Sequence, residues 1–121
     1  MKEGRRLLEN LNQELKNRII EEYGSLDYLY FEVYYLERKL YQNYLEKNHK
    51  EVARIRGLVM DIDDKLEEFG AIDGSDITHP IGTDFSEEAA SNTIRKNFKN
   101  LGFSEDLINA WIKSKGIDSS E

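Results

Sequence analysis

The chain reads as an all-α protein: a three-helix bundle with a long antiparallel helical hairpin, then an irregular acidic linker and a short docked helix pair. Three observations predict this. Apolar residues recur at helical spacing from Leu8 to Phe69. No segment in that range shows the strict alternation of a half-buried strand. The 121 residues contain a single proline, and it lies at position 80, beyond the long periodic region.

The second arm of the hairpin has the cleanest pattern. Val52, Ile55, Val59, Ile62, Leu66 and Phe69 follow at spacings of three, four, three, four and three, the repeat of a helix packed along a narrow seam. Arg54, Gly57, Asp61, Asp64 and Lys65 fall elsewhere on the helix. The first arm is wider. Leu29, Val33, Leu36 and Leu40 form one stripe, and Tyr30, Tyr34, Tyr41 and Leu45 form a second beside it. Together they cover more than the roughly 100° face of an ordinary amphipathic helix, so this arm should meet at least two neighbours. The phase changes across Glu46–Glu51, a run without a large apolar residue. Asn48 followed by Glu51 resembles a capping box, which favours a hairpin over one continuous helix.

A first helix is expected from about Lys2 or Glu3 to Tyr23, with Leu8, Leu11, Leu15, Ile19 and Tyr23 on one face. Gly24 ends it and Ser25 caps the next. After Gly70 the periodicity stops. Residues 71–85, with Gly74, Pro80 and Gly82, read as a linker. Ile72, Ile77, Ile81 and Phe85 should hold it along the bundle. Ser86 is a candidate cap for a helix carrying Ala90, Ile94 and Phe98. Leu101-Gly102 ends that helix. Ser104 caps the last one, on which Leu107, Ile108, Trp111 and Ile112 are apolar and which Gly116 closes. The expected organisation is therefore a bundle over 1–70, a linker over 71–85 and a helix pair over 86–117. That pair is too small to stand alone and should dock on the bundle or on another chain.

Net charge is −7 and unevenly spread. Residues 71–91 hold five acids and no base, whereas 92–117 hold five bases and two acids. An acidic whole disfavours non-specific binding to a phosphate backbone. There is no cysteine, which removes disulfides, thiolate metal sites and cysteine nucleophiles. The N-terminal residues are charged and amphipathic, without the apolar core of a signal segment. No apolar run has the length of a membrane span, so no membrane role and a cytoplasmic location are expected.

Chemistry-bearing patterns are few. Asp61, Asp63, Asp64, Glu67 and Glu68 form an acidic patch near the end of the third helix. Hard cations favour such carboxylates. Yet an EF-hand loop begun at Asp61 would put Leu66 where glycine is required, and a solvated face accounts for the run. All-α nucleotide pyrophosphatases carry Glu-Glu-x-x-Glu on one helix. Here the second helix offers only Glu32 and Glu37, five apart, and Asp61-x-x-Asp64 follows alone. His49 and His79 lack partners at zinc spacing. No catalytic residue, cofactor or metal is expected.

The leading expectation is a non-catalytic protein-binding or assembly/adaptor protein acting by helix packing. It would be a homo-oligomer or a component of a larger particle, with Tyr30, Tyr34, Tyr41 and Leu45 as interface candidates, because tyrosine is enriched at interfaces. The alternative is an acidic inhibitor, of the immunity, antitoxin or phage counter-defence kind, whose carboxylates occlude a basic site on a partner. A third and weaker reading is nucleic-acid contact through Arg95, Lys96, Lys99, Lys113 and Lys115 on the helix pair.

Overall fold

A computed structural model of the chain describes residues 11–71, 73, 74, 77, 78 and 94–116. Five helices have both ends among these residues, which hold no strand: α1 (Gln13–Tyr23), α2 (Leu26–Leu45), α3 (His49–Glu68), α4 (Ile94–Asn100) and α5 (Glu105–Lys115); Ile77 and Thr78 are helical as well. The protein is all-α. The chain divides into two compact units, residues 1–85 and 86–121.

In the first unit, α1 is shorter than its periodicity predicts. It begins at Gln13, because Asn12 is extended (φ −64°, ψ 156°) and its side chain accepts the Leu15 amide at 2.9 Å. A short polar side chain that bonds its own backbone starts a helix more readily than it continues one. Leu11 therefore precedes the helix, and the expected start at Lys2 or Glu3, with Leu8, lies outside the described residues. The other end matches the expectation. Gly24 takes φ +97°, and Ser25 accepts the Tyr28 amide at 3.0 Å.

The hairpin is real, and neither glycine nor proline makes its turn. Glu46 ends α2, Lys47 turns left-handed at φ +60°, and Asn48 caps α3 by accepting the Glu51 amide at 3.5 Å. The Asn48 amide reaches back to the Asn43 carbonyl at 2.9 Å and the Lys47 amide to Tyr44 at 3.1 Å. Those two bonds make a Schellman ending with lysine in the position glycine usually takes. At the far end of α3, Gly70 (φ +111°) closes the same motif through Ala71 to Leu66 and Gly70 to Glu67, each at 3.0 Å.

α2 runs antiparallel to α3 and packs on both neighbours. Lys65 near the end of α3 pairs with Glu22 near the end of α1 at 2.6 Å, so α1 and α3 point the same way. The predicted seam is buried at Ile55, Val59, Ile62 and Leu66, while Val52 and Phe69 are half-buried. Leu15 and Ile19 of α1 join it. Between residues 29 and 38 only Glu32 and Tyr35 are not buried, so this length of α2 is covered on nearly every side. Phe31, outside both predicted stripes, is fully buried and meets Tyr30 edge-on with ring centres 6.4 Å apart.

After α3 the chain stays on the bundle at the positions described. Gly74, Ile77 and Thr78 are buried, and the Thr78 hydroxyl donates to the Asp63 carboxylate. Here the linker expected to be irregular is helical at Ile77 and Thr78, where the Thr78 amide bonds the Gly74 carbonyl at 3.1 Å; the rest of it, including Ile72, Pro80, Ile81 and Phe85, is outside the described residues.

The second unit is built on aromatic packing. Phe98 meets Trp111 edge-on at 5.8 Å and Phe103 at 6.1 Å, with Ile94, Ile108 and Ile112 buried around them. Gly102 (φ +97°) allows the Schellman bonds from Gly102 to Lys99 and from Phe103 to Phe98. The Phe98–Phe103 contact is the hydrophobic closure that accompanies such an ending. Ser104 caps α5 through the Leu107 amide at 3.3 Å, and Gly116 ends it left-handed. Ser86 and Ala90 lie outside the described residues.

Candidate protein-interaction surfaces

The length mismatch between helices creates the first surface. At 1.5 Å per residue the eleven residues of α1 span about 16 Å and the twenty of α2 about 30 Å. α1 ends where α2 begins, so it covers the first half of α2 and leaves the hairpin tip beyond it. Exposure follows that geometry. Tyr30 is 1% exposed and Tyr34 5%, their rings stacked 6.4 Å apart at 14°. Tyr41 is half-buried, Leu45 is 51% exposed and Tyr44 65%.

Two of the four tyrosine-stripe candidates are therefore core. Tyr30 and Tyr34 lie on the part of α2 that the rest of the chain covers, and no partner can reach them in the folded protein. Tyr41 and Leu45 remain accessible. Tyr44, which neither stripe included, joins them: it follows Tyr41 by three residues and precedes Leu45 directly, on the same flank of the last turns of α2.

The acidic run also divides. Asp61, Asp64, Glu67 and Glu68 are exposed, whereas Asp63 turns toward Thr78. Glu37, not singled out by the sequence, is 7% exposed within the bundle. Burial, and then the charge of Asp63, push its carboxyl up to about 7. Its sequence signal is its register: it follows Tyr34 by three residues and precedes Tyr41 by four, inside the predicted tyrosine stripe. Among the described residues, no group of three or more histidine, aspartate or glutamate side chains is arranged to hold a metal ion.

On the helix pair, Lys96, Lys99, Lys113 and Lys115 are exposed. Arg95 is half-buried and donates to the Asn109 side-chain oxygen, tying α4 to α5. That bond gives Arg95 a structural task within the unit. His49 is exposed at the hairpin turn, and His79 lies outside the described residues. No helix among the described residues is long and apolar enough to cross a membrane. Compared with known proteins, the chain matches no family model, no curated protein and no solved structure.

Proposed function

We propose that this is a non-catalytic protein-binding protein of the assembly or adaptor kind, and that it engages its partner by helix packing at the hairpin tip. The observation that carries this reading is the exposure of Tyr44 and Leu45, with Tyr41 beside them, on a hairpin end that α1 is too short to cover. Neighbouring tyrosine and leucine side chains offer large contact area with few rotatable bonds. The charged residues Glu46, Lys47 and Glu51 at the turn supply a polar rim around that patch.

The test is a photo-crosslinking amino acid at position 44 in cells that make the protein. The expected result is a covalent adduct of one defined size, lost when Leu45→Asp is added. A crosslinker at Glu14, on the exposed side of α1, should give none. Equal labelling at both positions, or none at position 44, would remove the reading.

A second reading is favoured by the four exposed carboxylates of α3, Asp61, Asp64, Glu67 and Glu68. They suit an acidic inhibitor of a basic partner. Charge reversal there would slow association with such a partner and make it less dependent on salt, whereas partner capture at the tip would be unaffected.

A further inference from the structure

The outer face of α3 carries its own pattern. Lys50, Ala53, Gly57, Met60, Asp64 and Glu67 follow at spacings of three, four, three, four and three, the same alternation as the buried seam on the opposite side. All are exposed except Gly57, which is half-buried, and Met60 is 62% exposed. A Cβ added to Gly57 would meet nothing within 4 Å among the described residues, so they leave this face open. Its charge order runs basic to acidic from the N-terminal end. The dipole of the helix favours the opposite order, so the helix alone gains nothing from this arrangement.

We propose that this face pairs with itself: two copies of the chain associate through α3, laid antiparallel about a two-fold axis close to Gly57. Reversing the helix turns its charge order into its own complement. Met60 of each copy lies against Gly57 of the other, where the missing side chain leaves room for the flexible thioether. Lys50 of each copy meets the Asp64–Glu67 turn of the other. A parallel pair would set lysine beside lysine and carboxylate beside carboxylate, which is repulsive. The occupant is therefore a second copy in one orientation, and the contact is closed at two chains.

A single helix pair is small. It buries less than the roughly 1,200 Å² of a standard stable interface, so the dimer is weak and forms at high protein concentration. Its charged ends also make it sensitive to salt. This surface is separate from the hairpin tip and does not depend on partner binding there.

The test uses the full chain in sedimentation equilibrium, up to millimolar concentration and at low salt. The expected mass rises toward two copies and falls back as salt is added. Gly57→Glu should weaken association by about tenfold or more, while leaving the melting temperature unchanged or higher. Lys50→Glu alone and Glu67→Lys alone should each weaken it, and both changes in one chain should restore it. A monomer at every concentration, a mass growing past two copies, association indifferent to Gly57→Glu, or no recovery in the double variant would each overturn the proposal. None of these outcomes bears on crosslinking at position 44, so the two readings stand or fall separately.

Discussion

Gly74 lies so close to the backbone of Asp63 that a Cβ added to it would come 2.8 Å from the Asp63 Cα and closer still to the carbonyl oxygen. Only a residue without a side chain lets the segment after α3 lie flat on that helix, and the Thr78 hydroxyl then reaches the Asp63 carboxylate. Gly74→Ala should force the two backbones apart and cost about 1–3 kcal/mol. Gly57→Ala, on an open helix face, should instead add about 1 kcal/mol. Urea unfolding of the two variants beside the parent chain measures both signs.

Lys47 offers the opposite opportunity. Its left-handed backbone, at φ +60°, costs a residue with a Cβ about 1–2 kcal/mol, and glycine takes it freely. Lys47→Gly should stabilise the hairpin by about 1 kcal/mol, the gain being reduced by the greater freedom of glycine in the unfolded chain. An unchanged or lowered denaturation midpoint would contradict the Schellman assignment.

Glu37 sets a pH dependence. Its carboxyl rises from an ordinary 4.5 to about 7 on folding, through burial first and the charge of Asp63 second. Below 4.5 it is protonated in both states and costs nothing. As pH rises from there to about 7, the unfolded chain releases the proton while the folded chain holds it, so stability falls. Above 7 both states are ionised, and the accumulated loss reaches at most about 3 kcal/mol. Glu37→Gln should abolish this contribution and make the protein more stable than the parent at pH 8. Denaturant midpoints measured between pH 4 and 8 would show whether the slope disappears.

The two ends of the tyrosine stripe should respond differently to truncation. Tyr34→Ala removes a buried, stacked ring and should cost about 3–5 kcal/mol. Tyr44→Ser, at a site 65% exposed, should stay within about 0.5 kcal/mol. Comparable losses at both positions would mean that the tip is covered in the isolated chain.

Much of the architecture was legible because it rests on periodic side chains and on caps with strong local chemistry. The seam at Ile55, Val59, Ile62 and Leu66 is written in its spacing. Gly24-Ser25, Asn48, Gly102 and Ser104 act where their backbone preferences place them. What escaped is what depends on the length of a neighbour. Asn12 shortens α1 against an apolar repeat that continues through it, and this decides which tyrosines are core. Tyr30 is buried beside α1 and Tyr44 is exposed beyond its reach, a difference that spacing along α2 does not carry. Glu37 could have been found, since it stands in register between Tyr34 and Tyr41 on the tyrosine stripe; its charge, not its position, hid its burial.

Trp111 is the only tryptophan in the chain, and it is packed against Phe98 inside the unit of residues 86–121. All seven tyrosines fall between Tyr23 and Tyr44, in the other unit. The protein thus carries two intrinsic optical reporters sorted by unit. Indole emission follows melting of the C-terminal helices, phenol absorbance follows the bundle, and the cooperativity between them can be read without attaching any label.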